Sequence, residues 1–276
     1  MSKLNVSIIQ ANLSWENKEA NLSMFESRIR GAAGRKEVVI LPEMFSTGFS
    51  MNPAKLAETM DGPTLQWMRN ISAEQKIILT GSLIIEENGA YYNRLIWMLP
   101  NGQFGYYDKR HLFAYAGEDK HYHGGNKRLI ASVKGWKINL QICYDLRFPV
   151  WARQSDSSLD QVNISPGERT NRNVEYDMLV YVANWPERRN HAWKTLLQAR
   201  AIENQCYVIA VNRVGNDGND IYHSGDSMIV DPLGEVLYTK AHEEDLFTIQ
   251  LDKNHLDELR NRLPFLNDAD DFLIQT

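Results

Sequence analysis

Cysteine and long apolar runs are both scarce in this chain. Its 276 residues include two cysteines, Cys143 and Cys206, too few for a disulfide framework. A reduced, cytoplasmic protein is expected. No apolar run approaches the ~20 residues that a membrane span needs. The N-terminus, Met1-Ser2-Lys3-Leu4-Asn5-Val6, turns polar by Gln10 and lacks the apolar stretch of a signal peptide. There is no lysine- or arginine-rich block, and the net charge is −5. Neither nucleic acid nor a membrane surface is therefore an expected partner. The phosphate-cradling patterns G-x-G-x-x-G and G-x-x-x-x-G-K-[ST] are missing, and Gly215 and Gly218 lie in a polar loop, so nucleotide binding is not expected. What is present, 43% hydrophobic and 24% charged residues, is the composition of an ordinary globular protein.

The most informative stretch is Ile138 to Pro149. Ile138, Leu140 and Ile142 alternate with Asn139 and Gln141, a strand signal. Pro149 suits the first turn of a helix. Cys143 thus stands where a strand ends and a turn toward a helix begins, with backbone N–H groups nearby. Such donors favour a thiolate and can hold an oxyanion. The alternative is a buried cysteine packed as a small hydrophobe.

The rest of the chain alternates between strands and helices. Strands are expected at Leu4–Gln10, Glu37–Leu41, Ile77–Ile85, Ala90–Leu99, Gln103–Asp108, Leu129–Val133, Lys137–Cys143, Met178–Ala183, Tyr207–Asn212, Ser227–Val230, Glu235–Thr239 and Leu246–Leu251. Asn88-Gly89 and Asn101-Gly102 mark hairpins. Helices are expected at Glu16–Gly34 (apolar face Leu22, Phe25, Ile29 and Ala32; Gly34 a C-cap), Pro63–Gln75, just after Pro149, Asn190–Gln205 (Trp193, Leu196, Leu197, Ala201, Ile202) and from about His255. Lys109–Asn126 reads as an irregular loop, as does Asn216–Asn219. The class is α/β in one domain, residues 1–276, with the sheet covered by helices. Ser155–Asn173 is polar and without period, which reads as an exposed insertion.

A thiol near neutral pH needs an activating base. Glu43 follows a buried strand directly, as Cys143 does. Lys109 closes the strand after the second hairpin. Each alone is more often a solvated surface residue; their common place at strand exits is the reason to consider them together. Two rival chemistries remain open. His111, His121 and His123 with Glu118 could hold a metal, although the spacing fits no zinc pattern; a chelator would separate that reading. Cys143 could instead pair with a histidine base, or the chain could bind a ligand without catalysis.

Three blocks carry a resemblance: LPEMFSTGF at Leu41–Phe49, YDKRHLF at Tyr107–Phe113 and ICYDLRFP at Ile142–Pro149. Together with VANWP, ARAIENQ and SGDSMIVDPLGE further on, they resemble the carbon–nitrogen hydrolase (nitrilase) superfamily over nearly the whole chain. The resemblance implies a four-layer α-β-β-α sandwich, a homodimer or higher homo-oligomer joined through outer helices, and a catalytic triad of Glu43, Lys109 and Cys143. It also implies a supporting Glu118, an oxyanion donor at the Tyr144 N–H, and no metal or other cofactor. LPEMFSTGFSM, YVANWPERR and LPFLNDADDF look like the omega-amidase branch, whose small-molecule amide substrate, 2-oxoglutaramate, carries a carboxylate. N-carbamoyl or nitrile hydrolases are the alternatives. Asn184 and Trp185 are candidates to line the pocket, with Phe113 and Tyr115 as an apolar wall. Arg147 is a candidate cation, or else the partner of Asp145 in a structural ion pair.

Overall fold

The computed structural model describes residues 3–154, 174–270, 272 and 274. The expected insertion at Ser155–Asn173 lies outside them. In chain order the strands are β1 (Lys3–Gln10), β2 (Val38–Ile40), β3 (Ile78–Glu87), β4 (Ala90–Met98), β5 (Phe104–Asp108), β6 (Leu129–Val133), β7 (Trp136–Ile142), β8 (Met178–Ala183), β9 (Tyr207–Asn212), β10 (Val214–Asn216), β11 (Tyr222–Val230), β12 (Val236–Ala241) and β13 (Asp245–Asp252). The helices are α1 (Lys18–Gly31), α2 (Pro53–Leu56), α3 (Pro63–Gln75), α4 (Pro149–Ala152), α5 (Asn190–Asn204) and α6 (Lys253–Arg262).

Two sheets stack face to face. One runs β13-β1-β2-β3-β4-β5; the other runs β10-β11-β9-β8-β7-β6, with β12 beside β11. Each has parallel strands at its centre (β1-β2-β3 and β7-β8-β9) and antiparallel strands outside. The layering follows from the period-2 alternation of strands. Leu4, Val6 and Ile8 of β1 pack with Ile138, Leu140 and Ile142 of β7 and with Met178, Val180 and Val182 of β8, forming the core between the sheets. Ile9, Val39 and Leu79 face the opposite way, onto Phe25 and Ile29 of α1 and Leu65, Met68 and Ile71 of α3. Leu179, Tyr181, Val208 and Ala210 face Trp193, Leu197 and Ala201 of α5. The result is the expected α-β-β-α order. Among the described residues no helix is long and apolar enough to cross a membrane.

Some expectations shift. The first helix begins at Lys18, capped by the Asn17 side chain, and ends at Gly31 rather than Gly34. Ala32 is its C-cap, so Ala32 does not belong to its buried face and Gly34 is not the cap. Leu22 is only partly buried, while Asn21 is buried, because its amide satisfies the Ser14 and Ser46 carbonyls. On α5, Ile202 is 54% exposed and points away from the core, whose side is completed by Arg200 and Asn204. Part of the Asn216–Asn219 loop is instead strand β10, and β11 starts at Tyr222, five residues before the expected Ser227. These strands carry few apolar residues at their starts, so periodicity does not find them.

Candidate active site

The sheet ends set out the site. In open α/β sheets the carboxyl ends of parallel strands are where loops can converge. Residues just beyond β2, β7 and β8 are Glu43, Cys143 and Asn184, and Lys109 follows β5 directly. All four come together.

Two chain turns make this possible. Cys143 has φ +44° and Met44 also has φ +44°, a conformation that costs a non-glycine residue about 1–3 kcal/mol and survives only when its surroundings impose it. At Met44 the imposition is visible. Its N–H donates to Ser82 Oγ at 2.8 Å, and the Phe45 N–H donates to the Ser82 carbonyl at 3.1 Å. A β-carbon at Gly81 would lie 2.8 Å from the Phe45 ring and 2.9 Å from Leu41 Cβ, so only glycine lets this turn sit on β3.

At Cys143 the brace is Asp145, which is fully buried. Its Oδ2 accepts from the Ile142 N–H at 3.0 Å and from the Tyr107 hydroxyl at 2.7 Å. Its Oδ1 accepts from the His111 N–H at 3.0 Å and meets His111 Nδ1 at 2.8 Å. One carboxylate thus ties the nucleophile turn to the loop after Lys109. The expected Arg147–Asp145 ion pair is not formed, because Asp145 is fully engaged elsewhere. Asp145→Asn would point an amide N–H₂ at existing donors and is expected to destabilise the fold by about 3 kcal/mol. Chemical denaturation checks this; an unchanged unfolding midpoint would show the brace to be dispensable.

Lys109, Glu43 and Glu118 are all fully buried. Lys109 Nζ lies 2.9 Å from Glu43 Oε1 and 3.0 and 2.9 Å from the two Glu118 oxygens. An ammonium has three donors, so all three are spent on carboxylates. Burial acts to lower the Lys109 pKa, but the Glu118 and Glu43 charges outweigh it and the net direction is up. Glu118 is pushed up by burial, with Lys109 opposing and Glu43 adding. Glu118 Oε2 also accepts the Phe113 N–H at 2.6 Å.

Glu43 accepts three bonds: Lys109 and Asn93 Nδ2 (2.8 Å) on Oε1 and the Asn184 N–H (2.8 Å) on Oε2. A carboxylate has about four lone-pair sites, which leaves one acceptor position. The Cys143 side chain is close enough for the Glu43 charge to act on it. Burial, then the Glu43 charge, raises the thiol well above the usual cysteine range, and Lys109 only partly offsets this. The turn that follows is a single 3₁₀ stretch, Cys143–Arg147, before the short α4. The sequence-based expectation of a favoured thiolate is therefore corrected. The sulfur is held as a neutral thiol beside a carboxylate base, since the surroundings supply more burial than positive potential.

In front of Cys143 lies a cavity of about 540 Å³. Tyr144, Arg147, Phe113, Tyr115, Asn184 and Trp185 all line it. Their parts differ. Asn184 spends its amide Nδ2 on the Glu43 carbonyl at 2.6 Å, which makes it a positioning residue first. Trp185 is buried, its indole N–H bound to the Arg189 carbonyl at 2.9 Å. Phe113 packs edge-on to Tyr144 with ring centroids 4.9 Å apart. Tyr115 is 82% exposed and forms the rim, not an apolar wall. Arg147 stacks over Trp185 at 5.1 Å.

The residues of the proposed metal cluster disperse: His111 binds Asp145 and Glu118 faces Lys109. Among the described residues no group of three or more His, Cys, Asp or Glu side chains could hold a metal. A histidine base is likewise displaced by Glu43 at the thiol. The sequence reading gave no role to Asn93, Arg188 or Arg189 and took Asp145 only as a partner for Arg147. Asn93 sits mid-strand on β4 and its role arises only from register, which puts the Lys109 N–H on the Asn93 carbonyl at 3.0 Å. Arg188 and Arg189 lie next to the VANWP block and could have been noticed there.

Comparison with known proteins bears on the family and the fold. The chain is 39% identical over 273 residues to a protein of Escherichia coli (strain K12) named omega-amidase YafV, covering 99% of each chain. It is 31% identical over 270 residues to the 2-oxoglutaramate amidase of Bacillus subtilis (strain 168), covering 96% of this chain and 97% of that one. The crystal structure of XC1258 from Xanthomonas campestris, a CN-hydrolase superfamily protein with an arsenic adduct in its active site, superposes with a TM-score of 0.93 at 40% identity over the full length of both. The carbon-nitrogen hydrolase profile matches residues 5–261, and with this fold and these relatives the chain belongs to the carbon–nitrogen hydrolase family.

Proposed function

We propose that this protein is an omega-amidase, hydrolysing the terminal amide of a small 2-oxo acid amide such as 2-oxoglutaramate to a carboxylate and ammonia through a thioester on Cys143. The observation that carries this reading is the buried Glu43–Lys109–Glu118 cluster beside Cys143, which itself lines a cavity shared with Arg147, Arg188 and Arg189. The names of the Escherichia coli and Bacillus subtilis relatives support the substrate class.

Because the thiol is neutral, attack and deprotonation go together. The Cys143 sulfur bonds to the amide carbon as its proton passes to the open position on Glu43. Protonated Glu43 attracts Lys109 less, which frees one ammonium N–H for the developing oxyanion. The Tyr144 N–H, at the start of a helical turn and so without an intrahelical acceptor, supplies the second donor. One such donor is worth about 3–4 kcal/mol of barrier. Glu43 then passes its proton to the departing nitrogen, the C–N bond breaks and ammonia leaves. Next, water gives a proton to Glu43 as its oxygen bonds to the thioester carbon; the C–S bond then breaks, Glu43 returns that proton to the sulfur, and the product acid leaves and loses its proton to solvent as the carboxylate. Glu118 and Asn93 hold Lys109 and Glu43 in place throughout. A reducing cytoplasm suits this chemistry, since both cysteines are free thiols.

Ammonia release across 2-oxoglutaramate, 2-oxosuccinamate, glutamine, an N-carbamoyl amino acid and a simple nitrile tests the assignment. The first is expected to be the best substrate. A preference for the nitrile or the carbamoyl compound would move the protein to another branch of the family.

Association through outer helices is proposed as well. Ile202 on α5 meets the Gly234 turn, where Leu233 is 47% exposed, leaving apolar surface on the outside of the fold. Light scattering is expected to give at least a dimer, and Ile202→Glu to weaken it; a monomeric wild-type protein would remove this part.

A further inference from the structure

Arg147, Arg188 and Arg189 line the cavity with no carboxylate among the described residues as counter-ion. Three deeply placed cations are matched by carboxylates, Lys109 by Glu43 and Glu118, Arg94 by Asp108 and Glu87, and Arg200 by Glu203, while the buried Arg213 donates instead to the Asn216 carbonyl and the Asn12 side chain. Among the described residues no carboxylate comes within ion-pair distance of Arg147, Arg188 or Arg189. These three are not equivalent. Arg147 and Arg188 are exposed, whereas Arg189 is half-buried. A partly desolvated cation without a partner is costly, and a ligand anion would relieve that cost.

Arg189 is also the best fixed of the three. Its carbonyl accepts the Trp185 indole N–H at 2.9 Å, and its N–H donates to the Pro186 carbonyl at 3.0 Å. Its guanidinium lies over the Phe113 ring, 5.0 Å from the centroid, and the Phe113 backbone N–H is the one that holds Glu118. Burial, then Arg188, lowers its pKa, with Arg147 adding to this; a negative charge on the Cys143 sulfur acts in the opposite sense. Arg189 and Cys143 line the same cavity.

We propose that Arg189 selects anionic substrates, its guanidinium pairing with the carboxylate at the end of the chain remote from the scissile amide. The proposal rests on the omega-amidase reading for the identity of that chain. Arg147, stacked on Trp185 at the exposed side of the cavity, contributes less. A planar fork of donors on an aromatic face suits a carboxylate held in two bonds.

The test compares Arg189→Gln, Arg189→Lys and Arg147→Gln with the wild-type protein on two amides, 2-oxoglutaramate and its methyl ester, which has nearly the same shape and no charge. Arg189→Gln is expected to lower the ratio of kcat/KM for the acid to that for the ester by about 10- to 100-fold, mainly through KM, the range of one hydrogen bond to a charged group. Arg189→Lys should recover part of the ratio, and Arg147→Gln should lower it less. A ratio that stays within about threefold of wild type, or a larger loss in Arg147→Gln, would overturn the proposal; for scale, threefold is less than 1 kcal/mol. A second arm does not need turnover. The alkylation rate of Cys143 by iodoacetate relative to iodoacetamide, at one fixed pH, should fall in Arg189→Gln. If the wild-type protein releases no ammonia from either amide, the omega-amidase reading fails, and the alkylation ratio alone then decides the role of Arg189.

Discussion

Cys143→Ala is expected to abolish ammonia release, and Glu43→Gln to lower it by about 100- to 10,000-fold, the usual contribution of a positioned general base. The two effects have different origins. Alanine removes the only atom that can form the acyl bond. Glutamine keeps the size of Glu43 and can still accept through its one oxygen, but its N–H₂ replaces the acceptor that faces either the Asn93 amide and Lys109 or the Asn184 N–H, and it cannot take a proton. The thiol it leaves behind is raised by burial first and by the Glu43 charge second. Removing that charge lowers the thiol pKa somewhat, so Glu43→Gln should be alkylated by iodoacetamide more readily than wild type while turning over far more slowly. In the wild-type protein, alkylation should not level off around the ordinary cysteine range, because the thiol titrates above it. Retained ammonia release in Cys143→Ala would end the thioester scheme. A fast, plateaued alkylation near neutral pH would show a standing thiolate and remove the need for Glu43 as base.

Lys109→Met is expected to cost about 3–5 kcal/mol of stability and to reduce turnover by orders of magnitude, since it leaves two buried carboxylates facing one another with no cation. Their oxygens now share Lys109 at 2.9–3.0 Å. A second substitution separates structure from chemistry. Glu118→Gln in the Lys109→Met background removes one of the opposed charges and should restore much of the stability. It should restore none of the rate, because the oxyanion still lacks its ammonium. Urea unfolding and initial rates on the same preparations would read both. If turnover recovers along with stability, Lys109 is only a structural counter-ion.

Much of the frame could be read from periodicity. Pro63–Gln75, Met178–Ala183 and Tyr207–Asn212 fall where they were expected to the residue, because proline, an alternating or continuous apolar run and its polar ends are local signals. The two Asn-Gly hairpins were equally local. Asn88 at φ +55° and Gly89 at φ +78° have the left-handed pair that such a turn requires. The residue types at three strand exits were local too, so Glu43, Lys109 and Cys143 could be named together.

What local sequence could not settle was anything decided by a neighbour far along the chain. Asn139 and Gln141 look like a solvent face of β7, yet both are buried. Asn93 looks like any polar residue in a strand until register sets it against Lys109. Asp145 looks like a partner for nearby Arg147, but Tyr107 and His111, which β5 and its loop bring close, take its oxygens instead. The sign of the Cys143 shift is the sharpest case. Backbone N–H groups beside a thiol are visible in a sequence, whereas desolvation and an adjacent carboxylate from 100 residues away are not. Periodicity reports on which side of an element is apolar; charge balance at a buried site depends on distances between elements, and those exist only once the two sheets have packed.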